Sequence, residues 1–349
     1  MRRGPLLAIV VVLVAAAAVR ADPFIPNDRY YAPYEWYAAL LNLPQAWSRS
    51  LGSTDVVVAV LDTGVMTDTP DLAGRLLAPL SSTGNPPLDG TTHHHGTWVA
   101  SVVGMGVNND DDPEYVNLGG AGVGNFSILP ITVTDAQGHN ISGRIADGIR
   151  LAADEGARVI IISHSTLTYG VLDTAAAYAR GLGALTFVAA GNSNREEFLT
   201  DYANLIFVSG TNRDDGRWEE DGEGSSWGLF VDLAAPADDI LIADPHDPNL
   251  PAGYGIHNGT SFAAPLAGGA AALAWSINPV LTADEVLAML YDTAVDLGDP
   301  GWDKVYGHGR IDIGAVAEAA YATLPEPATL ALVLAGLCGV LGARRHKGR

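Results

Sequence analysis

Asp55-Val56-Val57-Val58-Ala59-Val60-Leu61 runs without a polar break into Asp62-Thr63-Gly64. A β-branched apolar run closed by an acid, a hydroxyl and a glycine reads as a strand buried on both faces and ending in a turn. Comparable runs recur at residues 128–133, 159–163, 185–189 and 206–209, and helical patterns fill 145–155 and 172–182. Thr282-Ala283-Asp284-Glu285 has the spacing of a capping box and predicts a helix to about residue 294. Strands alternating with helices predict an α/β fold, a three-layer α/β/α sandwich around a mainly parallel sheet. No internal repeat and no linker rich in Pro, Gly or Ser divides the body.

The 349 residues are enough for one large α/β domain, and at 48% hydrophobic composition most of the chain is not disordered. There are 40 acidic and 19 basic residues. Arg2, Arg3, Arg20, Arg344, Arg345, Lys347 and Arg349 all lie at the two ends, so the body is more acidic than the formal charge of −21 suggests. Such a surface disfavours nucleic acid and anionic membrane as partners and suits an exported protein or a cation binder. Cys338 is the only cysteine, and it sits in the last hydrophobic run. A disulfide framework, a zinc–cysteine site and a cysteine nucleophile are therefore excluded from the body.

Residues 1–21 have the layout of a secretory signal peptide: Arg2 and Arg3, then an apolar run over 6–19, then Val19 and Ala21 before Asp22. The run is shorter than the roughly 20 residues that span a bilayer. At the other end, in residues 324–349, Pro325-Glu326-Pro327 precedes small and apolar residues from 328 to 343 and the basic cluster at 344–349. Positive charge after such a stretch stays in the cytoplasm and leaves the acidic body outside. The order Pro-Glu-Pro, hydrophobic helix, arginines resembles the PEP-CTERM sorting signal of exopolysaccharide-producing Gram-negative bacteria. That resemblance implies processing by signal peptidase and an exosortase-type enzyme, with membrane contact only through the terminal segments. The alternative is a plain C-terminal membrane anchor.

Four segments carry chemistry: Val60-Leu61-Asp62-Thr63-Gly64, His95-Gly96-Thr97-Trp98-Val99-Ala100-Ser101, Ala189-Ala190-Gly191-Asn192-Ser193 and Asn258-Gly259-Thr260-Ser261-Phe262-Ala263-Ala264-Pro265. A serine hydroxyl is a poor nucleophile unless a histidine is within reach, held in turn by a carboxylate. Asp62, His95 and Ser261 supply the three types. Asp62 closes a buried strand, where the crevice of an open parallel sheet lies. His95 and Ser261 are each expected to open a helix, with Gly96 and Gly259 permitting close approach. The order Asp, His, Ser is that of subtilisin, as opposed to chymotrypsin or the α/β-hydrolases.

Over about residues 27–320, within a domain taken as 22–323, the sequence resembles the subtilisin-like serine peptidases. The stretches Asn27-Asp28-Arg29-Tyr30-Tyr31 and Pro44-Gln45-Ala46-Trp47 are similar to the thermitase branch, and Gly307-His308-Gly309-Arg310-Ile311-Asp312 is similar to the family's closing motif. The resemblance implies Asp62 as orienting acid, His95 as general base and then acid, Ser261 as nucleophile, and Asn192 as oxyanion donor with the Ser261 N–H. It also implies a monomer acting on protein or peptide substrates without a catalytic cofactor. The short stretch between Ala21 and Asp62 matches the mature domain, so folding without an inhibitory prodomain is expected.

Departures from the pattern bear on specificity. Trp98 stands where the family has a second histidine, and altered packing is expected there. Ser163-His164-Ser165 aligns with the family's Ser-Leu-Gly on the substrate cleft; Ser163 is kept, while His164 and Ser165 place side chains on the wall. The strip 189–192, with Ala190 and Gly191, is expected to form the opposite wall. Of three consecutive histidines only His95 is in the family register; His93 and His94 are expected to be solvated loop residues. A metal site built from the three is disfavoured, because adjacent residues point apart. Structural Ca2+ is the implied ion, with Asp28 and Asp71 as carboxylate ligands and Asn108 and Asn117 from the acidic loop after the His95 helix. Two competing readings are a non-catalytic surface or matrix binding protein on the same scaffold, and an esterase using the same triad.

Overall fold

The computed structural model describes residues 22–88, 93–110, 119–165, 168–244 and 253–325. Seven strands form one sheet: β1 (Val57–Asp62), β2 (Leu80–Ser81), β3 (Ser127–Thr132), β4 (Val159–Ile162), β5 (Leu185–Ala189), β6 (Leu205–Thr211) and β7 (Val231–Pro236). Their order is β2-β3-β1-β4-β5-β6-β7, and every neighbouring pair is parallel. A hairpin of β8 (Ile240–Ala243) and β9 (Tyr254–His257) stands apart from it.

Side chains along each central strand serve two cores. Val58, Val60, Val159, Ile161 and Phe187 pack on one face with α1 (His95–Gly104), α4 (Thr260–Ile277) and α6 (Ile313–Ala322). Ala59, Leu61, Ile160, Ile162 and Val188 pack on the other with α2 (Ser142–Asp154) and α3 (Tyr169–Gly181). Both faces are covered, which explains why the strands read as continuous apolar runs rather than alternating ones. Helix α4 is apolar and long enough to cross a membrane, yet it is the central core helix, with 83% of its residues buried. The predicted capping box opens α5 (Ala283–Asp292): Thr282 Oγ1 accepts from the Glu285 N–H, and the Thr282 N–H donates to Glu285 Oε2.

Two features carry little signal in the sequence. Strand β7 is broken by Asp232 and ends in Pro236, which suits only a sheet edge. Asp232 is useful there, because its carboxylate accepts from the Phe207 N–H and the Tyr291 hydroxyl. Helix α6 is closed onto the body by Arg310 of the closing motif. The buried guanidinium of Arg310 donates to the Leu40 carbonyl and to Asp215, tying the two ends of the domain together.

Strand order reverses at β1, whose partners β3 and β4 lie on opposite sides of it. Crevices in such sheets open beyond the carboxyl ends at this reversal. Asp62 is the last residue of β1, and Leu61 is in register with Ile162, so Ser163, His164 and Ser165 leave β4 beside it.

Candidate active site

His95 is the first residue of α1, brought against β1 by Gly96. A Cβ on Gly96 would lie 2.2 Å from the Gly64 carbonyl oxygen and 3.0 Å from Asp62 Cβ, so only glycine allows this approach. His95 Nδ1–H donates to Asp62, 2.9 Å from Oδ1 and 3.0 Å from Oδ2, and the Thr63 N–H adds a bond to Oδ1 at 2.8 Å. Burial alone would raise the pKa of Asp62. The positive potential of His95 and the two donors, His95 and the Thr63 N–H, outweigh burial and hold the carboxyl down to about 2. Burial likewise opposes the charged form of His95, but Asp62 prevails and raises it above the ordinary imidazole value.

Ser261 is the second residue of α4. Gly259 caps this helix at φ 139°, where a side chain is strained and a Cβ would approach Asn192 Nδ2 to 3.1 Å. The Asn192 amide is fixed in one sense: Oδ1 accepts from the Thr260 N–H at 3.0 Å and from Thr260 Oγ1–H at 2.7 Å, leaving Nδ2 as the outward donor. Thr260 Oγ1 in turn accepts from the Gly191 N–H at 3.1 Å. Sequence reasoning gives Thr260 no role, although it stands inside the segment that carries Ser261.

A cavity lies beside His95 and holds Ser163, His164 and Ser165, but Ala190, Gly191, Asn192 and Ser261 do not line it. It encloses about 550 Å³ and is lined by Thr63, His93, Trp98, Gly138, His164 and Ser165 among others. Ser163 has a main-chain duty: its hydroxyl donates to the Ser261 carbonyl at 2.8 Å, while Ser261 Oγ–H donates to the Ser163 carbonyl at 3.3 Å. Among the described residues no hydrogen bond joins Ser261 to His95. Gly191 packs beside Ser165, whose Cβ lies 3.5 Å from where a Cβ on Gly191 would stand. His164 lines the cleft but turns its ring inward, with Nε2 3.8 Å from Asp62 Oδ2. His94 is also not simply solvated, since its Nδ1 lies 3.5 Å from Asp244. The repacking expected at Trp98 takes the form of a stack on His257, with centroids 4.3 Å apart and planes at 27°.

Asp28 and Asp71 are both buried, in a patch that also holds Glu35. Asp28 accepts from the Asn108 and Asn109 N–H groups. Asp71 accepts from the Gly106 and Gly120 N–H groups, the Asn109 side chain and the Tyr254 hydroxyl. The side chain of Asn108 departs from expectation: its Oδ1 accepts from the Asn27 N–H, and Asn109 is the residue that reaches Asp71. Glu35 Oε2 and Asn109 Oδ1 are buried without a hydrogen-bond partner. Asn117 lies outside the described residues. Among the described residues no three acidic, His or Cys side chains converge as a ready metal cage.

Residues 53–309 match the subtilase family, peptidase family S8, and the chain belongs to it. It is 31% identical over 295 residues to thermitase of Thermoactinomyces vulgaris, covering 83% of this chain and 98% of that one. It is 33% identical over 313 residues to the halolysin-like extracellular serine protease Nep of Natrialba magadii, covering 86% of this chain but only 54% of that relative. Among solved structures, sphericase superposes with a TM-score of 0.62 at 26% identity, over 74% of this chain and 92% of its own. The architecture is the subtilisin-like fold, and the family is one of serine peptidases.

Proposed function

We propose that the chain is an exported serine endopeptidase that cleaves peptide bonds through an acyl-enzyme. Ser261 Oγ attacks the peptide carbonyl carbon while His95 Nε2 takes its proton. Asn192 Nδ2 and the Ser261 N–H receive the oxyanion. His95 then protonates the leaving amine, and water, activated by the same imidazole, releases the acid product. Asp62 stays ionised throughout and stabilises the imidazolium. The observation that carries this reading is the pairing of buried Asp62 with partly exposed His95 at 2.9 Å at the carboxyl edge of the sheet, the rim to which Ser163 also ties Ser261. Catalytic hydrogen bonds are commonly long in the free enzyme and tighten with substrate. The Ser261 hydroxyl must leave the Ser163 carbonyl to meet His95.

That serine contact is also what favours the second reading, a binding scaffold without catalysis. Casein and a small ester, offered side by side to the full chain and to Ser261→Ala, separate the cases. Casein turnover lost in the variant supports the peptidase; turnover of the ester alone makes it an esterase; turnover of neither by a folded chain supports the scaffold.

Residues 1–21 are read as a signal peptide removed on export, 22–323 as a monomeric peptidase domain, and 324–349 as a PEP-CTERM-type tail processed by an exosortase-type enzyme. Extracellular relatives support export. Calcium belongs to the same proposal. Asp28, Glu35 and Asp71 are buried in the same region as the Arg75 guanidinium, without converging on one point, and a carboxylate oxygen of Glu35 and the amide oxygen of Asn109 lack donors, ligand types that suit a hard cation. Asp28, Asp71 and Asn109, with Glu35 beside them, would hold it, and the ion would tie the N-terminal segment to the loop after α1.

A further inference from the structure

His164 is the second residue after β4, and its imidazole is almost wholly withdrawn from solvent, with 11% of the side chain exposed. Its Nε2 is buried and has no hydrogen-bond partner. The nearest charged atom is Asp62 Oδ2 at 3.8 Å, and the ring lies 5.9 Å from that of His95, tilted by 33°. Two imidazoles thus face one carboxylate from different elements. An unpaired buried nitrogen is costly, and it stands within one small rotation of a carboxylate oxygen that has a single bonded partner.

We propose, on the reading of the chain as a triad peptidase, that His164 is a positioning residue: a second, neutral imidazole that donates Nε2–H to Asp62 Oδ2 as the site tightens around substrate. The ionisable groups facing it are Asp62 from β1, His95 from α1, and His93 and His94 from the segment before α1. Burial lowers the basicity of His164 and the proximity of His95 lowers it further, against the pull of Asp62, so His95 rather than His164 takes the first proton as pH falls. A neutral donor on Oδ2 drains part of the carboxylate charge. The His95 imidazolium is then less favoured, and His95 remains a free base to lower pH than it would alone.

The test compares wild type with His164→Leu and His164→Gln in the full chain, reading the acid limb of kcat, which reports the substrate complex, and the His95 titration by imidazole nitrogen NMR in the presence of a saturating product peptide. Leu removes the donor and moves both midpoints up by about 0.5 pH unit, the equivalent of one net hydrogen bond. Gln keeps a neutral donor and holds them near wild type. A folded Leu variant with unmoved midpoints overturns the proposal, as does an equal shift in both variants, which would mark a charged His164. The NMR arm reads out without turnover. A shift in a chain that hydrolyses nothing sinks the peptidase reading alone; hydrolysis with no shift sinks this inference alone.

Discussion

Ser163 Oγ–H donates at 2.8 Å to the main-chain carbonyl of Ser261, the carbonyl that Pro265 cannot serve. In an uninterrupted helix the N–H four residues on would bond to it, and proline has none. The Ser163 hydroxyl replaces that missing bond and so pins the first turn of α4, with Ser261 on it, to the end of β4. The bond is partly buried, so Ser163→Ala leaves the Ser261 carbonyl without this partner in a partly desolvated place. A loss of about 1–3 kcal/mol in denaturant unfolding is expected, with a drop in kcat because the nucleophile loses its tether.

Thr260 acts on the oxyanion donor through Asn192. Without its hydroxyl, the Asn192 amide retains only the Thr260 N–H and can turn over. Thr260→Val is expected to lower kcat about tenfold, less than the 2.7–4 kcal/mol that the handling of the oxyanion itself is worth in subtilisin. KM for a small ester should change little, and Thr260→Ser should recover most of the rate.

Asp62 gives a pH signature to stability. Its carboxyl is held at about 2 against an ordinary value of 3.8, so it binds fewer protons when folded than unfolded. The resulting stabilisation, ~2 kcal/mol, is complete above the unfolded value and disappears as pH falls through 2. His95 has the opposite sign: raised in the folded chain, it stabilises below the ordinary imidazole value and ceases to do so as pH rises through its folded value. Asp62→Asn should remove the acid-side contribution in a melting series from pH 5 to pH 2. It should also cut kcat by about 10⁴, as loss of the equivalent partner does in chymotrypsin-type triads.

Chelation tests the ion. If calcium offsets the Asp28, Glu35 and Asp71 charges, its removal should lower Tm by several degrees, and Glu35→Gln should reduce that drop. An unchanged Tm after exhaustive chelation would retire the ion.

Much of this was legible in the sequence because the chemistry and the fold share residues. Asp62 closes an unbroken apolar run, His95 precedes Gly96, and Ser261 stands two residues after Gly259, each glycine letting a helix start close to its neighbours. What escaped has physical reasons. Val231–Pro236 carries a half-buried acid in place of an apolar residue because it lies at the sheet edge. The family resemblance puts His164 on the cleft wall and implies altered packing at Trp98, but nothing local says that one ring turns toward a carboxylate and the other stacks on His257. Thr260 was hidden because its partner, Asn192, is distant in sequence, and one-dimensional spacing cannot express that contact.

The central claim is that the hydroxyl of Ser261 is activated by His95. Mass-spectrometric mapping of the adduct formed with a fluorophosphonate addresses it most directly. Stoichiometric modification at Ser261, falling away as His95 protonates and lost in His95→Ala, is the expected result. A folded, calcium-treated chain that stays unmodified at Ser261, or reacts there equally fast without His95, would contradict it.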